Sequence, residues 1–241
     1  MPNSKIGRHY SQAFDTELQQ AVDRLLQMAA LTQQQLTDAI AAFVEADHAR
    51  AEQVVASDHR VNDFEVDIDE HCLDILARRQ PAASDLRLVL TVLKSINDIE
   101  RIGDLAKRVA KTLLEQADTD RPNQAQLDEI DVMGHRVLHM LQRACVSFER
   151  MDATDALTVL RKDKEIDQDY DRIVAQSISA MSNDSSQVGP SMQLFVIARA
   201  LERIGDHSRN ICQHVIFLCK GRNVAHFSDA ELQQIVDKQR S

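Results

Sequence analysis

The sequence predicts an all-α fold: two tandem antiparallel three-helix bundles related by an internal repeat. Three observations predict it. The 241 residues are 44% hydrophobic and 4% aromatic, with 6 Gly, 4 Pro and no Trp, and few breakers and few aromatics favour helix over strand. Apolar residues recur at helical spacing along most of the chain. Ile99-Glu100-Arg101-Ile102-Gly103-Asp104 returns as Leu201-Glu202-Arg203-Ile204-Gly205-Asp206, 102 residues later. A spacing that long marks two copies of a domain-sized unit, since solenoid repeats run to roughly 20–50 residues.

Helix one is expected from about Ser11 to Val44, on a stripe that includes Phe14, Leu18, Val22, Leu25, Met28, Leu36, Ile40 and Phe43. Asp47 caps helix two, which continues to about Arg79. Gln80-Pro81-Ala82-Ala83 breaks the chain, because the residue before proline avoids helix. Ser84 caps helix three, which reaches about Leu114. Asp118 to Asn123 is a polar, proline-bearing linker.

The second half replays this order. Helix four spans about Gln124 to Phe148, and Asp152 caps helix five. Asp152 lies at an offset of 105 from Asp47, as Phe148 does from Phe43. Asn183 to Pro190 makes the next turn, and helix six runs to about Leu218. Ser228-Asp229-Ala230-Glu231 is a capping-box pattern ahead of a short helix. The expected units are a first bundle over 1–118, a second over 119–222 and a tail over 223–241.

A net charge of −10 argues against a nucleic-acid partner, whose binders are basic. It fits cation binding or plain solubility. Met1 to Ser11 is polar, with no signal-peptide core, and no run of 18 apolar residues exists. The expectation is a soluble protein. Cys72, Cys145, Cys212 and Cys219 contain no C-x-x-C and lie in helical patterns. They read as thiols in a reducing cytoplasm.

Both copies of the repeat keep two carboxylates four residues apart, and i, i+4 positions share a helix face. Both also keep a glycine that costs a helix about 1 kcal/mol against alanine, as if something must come close to the backbone. In an antiparallel hairpin centred near Pro81, Glu100 faces Asn62 and Asp104 faces Asp58. In the second hairpin Glu202 faces Asp167 and Asp206 faces Asp163. Asp58 with Asn62 and Asp163 with Asp167 are themselves i, i+4 pairs at the 105 offset. Each bundle therefore gathers four oxygen-bearing side chains across one helix pair.

Close carboxylates repel unless a proton or a cation bridges them. All-oxygen donors suit Mg²⁺, Mn²⁺, Ca²⁺ or ferric iron. The competing reading is a solvated face on which Arg101 and Arg203 pair with the acids. A di-iron oxidase needs Glu-x-x-His on two helices, and only Glu45-Ala46-Asp47-His48 has that spacing, across a turn. His207 is a candidate extra ligand, whereas His135 and His139 read as exposed. There is no G-x-S-x-G, P-loop or G-x-G-x-x-G. A metal-dependent phosphoesterase or oxidase and a metal-free helical scaffold are the readings that the residues themselves leave open.

Arg79-Gln80-Pro81-Ala82-Ala83-Ser84-Asp85-Leu86-Arg87, with the doubled Glu-Arg-Ile-Gly-Asp, resembles the PhoU family from about Phe14 to Gly221. That resemblance implies two tandem three-helix bundles whose E/D-x-x-x-D motifs hold Mg, Mn or Fe. Carried onto this chain, the motifs are Glu100 with Asp104, Glu202 with Asp206, and Asp163 with Asp167. Asp58 with Asn62 departs from the pattern, because asparagine replaces a carboxylate. The resemblance also implies a non-enzymatic negative regulator in the cytoplasm, commonly a dimer. Its partners would be the ATPase subunit of the phosphate ABC transporter and a sensor histidine kinase, and it would meet the membrane only through them.

Overall fold

The computed structural model describes residues 12–115 and 121–238. Among them there are helices, short turns and no strand. The helices are α1 (Gln12–Glu45), α2 (His48–Ser57), α3 (His59–Arg79), α4 (Ala83–Leu114), α5 (Gln124–Arg150), α6 (Ala153–Leu160), α7 (Asp163–Asn183), α8 (Val188–Lys220) and α9 (Asp229–Asp237). A 3₁₀ turn over Ser185–Gln187 joins α7 to α8. The expected helix start at Ser11 and the boundary near Asp118 fall outside the described residues.

The repeat governs the packing as well as the motif. On α1 the buried positions include Val22, Leu25, Met28, Ala29, Leu36, Ala39 and Phe43. Their counterparts Leu127, Ile130, Met133, Gly134, Leu141, Ala144 and Phe148 are buried on α5. On α4 and α8 the same holds for Val92 and Leu194, Ile96 and Ala198, Ile99 and Leu201, and Val109 and Ile211. Each half folds α1–α4 or α5–α8 into an antiparallel bundle.

The two bundles are not separate bodies. α4 packs along α8 and α1 packs along α5, so one hydrophobic core runs through both halves. Helices of 34, 32 and 33 residues are about 50 Å long at 1.5 Å per residue.

Two predicted helices are in fact broken. Helix two divides at Asp58 into α2 and α3, and helix five divides at Arg161–Lys162 into α6 and α7. The breaks sit at matching places in the repeat. No proline or glycine marks them, which is why helical periodicity ran through them.

The caps follow side-chain chemistry. Asp47 accepts a hydrogen bond from the Arg50 amide, and Asp152 accepts from the Thr154 and Asp155 amides. Each is preceded by a left-handed residue, Ala46 at φ 57° and Met151 at φ 48°. The Ser228/Glu231 capping box forms as expected. Ser84 does not cap α4, which starts one residue earlier behind Ala82 with no side-chain cap.

Candidate functional site: two acidic patches

The second patch lies where the α6–α7 break meets α8. Asp163 opens α7 and is only 6% exposed. Burial pushes its carboxyl up to about 6; Asp167, Asp206 and Glu202 push the same way, against Arg209. Burial and then Asp206 raise both Asp167 and Glu202. All four predicted side chains therefore share one field. Arg209 Nη1 stands 3.6 Å from Asp163 Oδ2, and Arg199 Nη1 donates to Glu202 Oε1 at 2.6 Å. The other Glu202 oxygen, Oε2, is buried with no hydrogen-bond partner.

The first patch is built alike and charged differently. Asp58, at the α2–α3 break, is 3% exposed and accepts from Lys107 Nζ at 2.6 Å. The contact raises the lysine's pKa. Arg101 lies 3.5 Å from both Glu100 and Asp104. Burial and then Asp104 raise Glu100, and Glu65 adds to the effect. Asn62 is exposed on α3 and contributes no charge.

Among the described residues, no three His, Cys, Asp or Glu side chains meet in an arrangement that could hold a metal ion. Lys107 and Arg209 stand against the innermost carboxylates instead. Neither stands out in the sequence, although both sit at the 102 offset three residues beyond Asp104 and Asp206. In kind, the second donor set fits a hard cation, with four carboxylates and an orphaned oxygen, once Arg209 swings away from Asp163. The first set does not fit, with an ammonium on Asp58 and a neutral amide at Asn62.

The repeated glycines face inward. A Cβ at Gly103 would lie 3.4 Å from Val61 Cγ1. A Cβ at Gly205 would lie 3.1 Å from Ile166 Cδ1 and 3.4 Å from Asp163 Oδ1. What comes close to the backbone is the chain's own α3 and α7.

His207 also departs from expectation. Its Nδ1 pairs with Asp98 Oδ1 at 2.8 Å, across the seam between the bundles. His214 Nε2 reaches Asp98 Oδ2 at 2.9 Å, and Asn210 donates at 3.1 Å. Burial pushes the Asp98 carboxyl up, but these three hydrogen bonds hold it below the usual range. Asp98 has Ala200 as its repeat partner, the one signal that could have found it. His135 and His139 are exposed, as expected. None of the four cysteines is in a disulfide, and burial pushes the Cys72 and Cys145 thiols up to about 12. No described helix is long and apolar enough to cross a membrane.

The model of the PhoU domain matches residues 25–113 and again 130–215, one match per bundle. The chain is 38% identical over 240 residues to the phosphate-specific transport system accessory protein PhoU of Edwardsiella tarda, covering 100% of this chain and 98% of that one. The crystal structure of PhoU from Pseudomonas aeruginosa superposes with a TM-score of 0.83 at 40% identity, covering 87% of this chain and 100% of that one. That of the phosphate transport system regulatory protein PhoU from Streptococcus pneumoniae gives 0.82 at 29% identity, covering 88% and 99%.

Proposed function

This chain belongs to the PhoU family, and from that premise we propose that it is a cytoplasmic negative regulator of the phosphate-starvation response. As a member, it is a phosphate-transport accessory protein. In the finer reading it acts as an adaptor between the ATPase subunit of the phosphate ABC transporter and a sensor histidine kinase, and it restrains uptake. It works as a homodimer and meets the membrane only through those partners. The observation that carries the reading is likeness to an accessory protein over the full length of both chains. The relatives are named for a role in transport rather than for a reaction.

One feature supports an adaptor. The hairpin ends of both bundles carry exposed apolar side chains at matching positions, Leu73 and Leu86 on one and Ile178 and Val188 on the other. Exposed apolar groups gathered at one place mark interaction surfaces. In this reading Glu202, Asp206, Asp163 and Asp167 close up around a Mg²⁺, Mn²⁺ or ferric ion, because as placed they do not converge on one point. The cation would relieve carboxylate repulsion and fix α7 against α8.

The test is a deletion strain carrying a phosphate-responsive alkaline phosphatase reporter. Loss of the gene should switch the reporter on in phosphate-rich medium, and the intact gene should silence it. Continued silence in the deletion strain would refute the regulatory reading. Mn²⁺ should raise the melting temperature of the purified protein, and Glu202→Ala with Asp206→Ala should abolish most of that rise. An unchanged rise in the double variant would remove the metal from this patch.

A further inference from the structure

The second bundle holds a cavity of about 280 Å³ between α5, α6 and the start of α7. Its rim carries Arg136, His139, Arg143 and Lys162, and its floor is Met140, Val159 and Ile166. We propose that it binds a small phosphate monoester, with the oxyanion among Arg136, Arg143 and Lys162 and the apolar body on the floor.

The charge is local. A chain of net charge −10 gathers three permanent cations and a histidine around one opening. The rim is not a by-product of the bundle either. Its repeat partners in the first bundle are Leu31, Gln34, Asp38 and Ser57, none of them basic. The second copy alone has this property.

The rim is held in place. Arg136 Nη1 donates at 2.6 Å to Asp169, which is 1% exposed and also takes Arg172 at 2.7 Å. Arg143 pairs with Asp155, to which Ser147 donates at 2.6 Å. Each arginine spends one nitrogen on its anchor and keeps other N–H donors of its planar fork. Fixed forks above an apolar floor match the usual make-up of small-molecule sites, a few placed polar groups in an apolar cleft. With Arg172 the four cations exceed the three carboxylates by one, and two arginine forks with free N–H donors can share the three oxygens of a phosphate. Glu165 on the rim opposes the anion and holds Lys162 at 2.7 Å, so an arriving phosphate must draw that lysine away.

None of these residues belongs to the acidic patches, and the inference stands whether or not the regulatory reading does. Calorimetric titration of the full chain with phenyl phosphate, inorganic phosphate and benzoate tests it. Phenyl phosphate should saturate one site with a Kd below about 1 mM, with benzoate and inorganic phosphate each about tenfold weaker. His139→Ala with Lys162→Ala, both at exposed positions, should weaken phenyl phosphate about tenfold at unchanged melting temperature, and Glu165→Gln should tighten it severalfold. No saturable binding, equal affinity for inorganic phosphate, or an affinity that ignores the double substitution would each overturn the proposal.

Discussion

A carboxylate buried beside three others prefers to keep its proton, and Asp163 is such a group. Its folded pKa is raised from 3.8 to about 6. In the metal-free protein, then, the folded state binds the proton more tightly than the unfolded chain. That contribution is complete below about pH 4 and is lost as the pH rises towards 6. Asp163→Asn should flatten this part of the stability curve and raise stability at pH 7. The ceiling is about 3 kcal/mol at 1.36 kcal/mol per unit, and solvent and counter-ions lower it. Urea melts with chelator at pH 4.5 and 7 measure the effect, and an equal slope in both proteins would contradict it. Gln35 poses a different case. Both polar atoms of its amide are buried without a partner, and its repeat partner is Met140. Removing a buried unsatisfied group recovers about 1–3 kcal/mol, so Gln35→Met should raise the midpoint of the urea melt without changing its slope. The carboxylate pairs were legible because i, i+4 spacing recurs in both halves. Lys107 and Arg209 were not, since a lone cation on a helix reads as solvated until its partner across the hairpin is placed.

At the scale of the elements, the packing of α3 on α4 and of α7 on α8 rests on two small residues. Gly103 meets Val61, and Gly205 meets Ile166, the same contact with one extra methyl in the second bundle. Alanine gains about 1 kcal/mol of helix propensity over glycine. At Gly103 the new methyl finds ordinary contact distance, so Gly103→Ala should stabilise by up to about 1 kcal/mol. At Gly205 it meets Ile166 Cδ1 at 3.1 Å, so Gly205→Ala should gain nothing or lose about 1 kcal/mol. Ile166→Val removes that methyl and should rescue the change, with a coupling of at least about 0.5 kcal/mol in a double-mutant cycle. Additive effects would show that the helices adjust freely. Leucine at either glycine should break the hairpin packing. Helix existence and the caps at Asp47, Asp152 and Ser228 were readable from periodicity and side-chain chemistry. The breaks at Asp58 and Arg161–Lys162 were not, because they arise where a helix must bend to bring a buried aspartate against the neighbouring hairpin arm.

At the scale of the molecule, the tandem repeat suggests two domains, whereas the packing joins them. The seam between α4 and α8 is continuous with the hydrophobic core of both bundles. Either half alone would leave its side of the seam in water. A polar cluster crosses the seam, Asp98 of the first half held by His207, Asn210 and His214 of the second, and Lys94 stands over the Phe217 ring at 5.2 Å. The whole chain should therefore melt in a single calorimetric transition, with calorimetric and van't Hoff enthalpies equal. Residues 12–115 expressed alone should associate or aggregate rather than remain a folded monomer. Asp98→Ala copies the residue that the second repeat places at this position, Ala200. It should lower stability by about 1–3 kcal/mol through the lost charge-assisted bonds. The transition should stay single, because the rest of the seam still couples the halves and the freed histidines can reach solvent. Two resolved transitions, in the parent or in Asp98→Ala, would mean that the bundles fold as independent units and that the seam merely docks them.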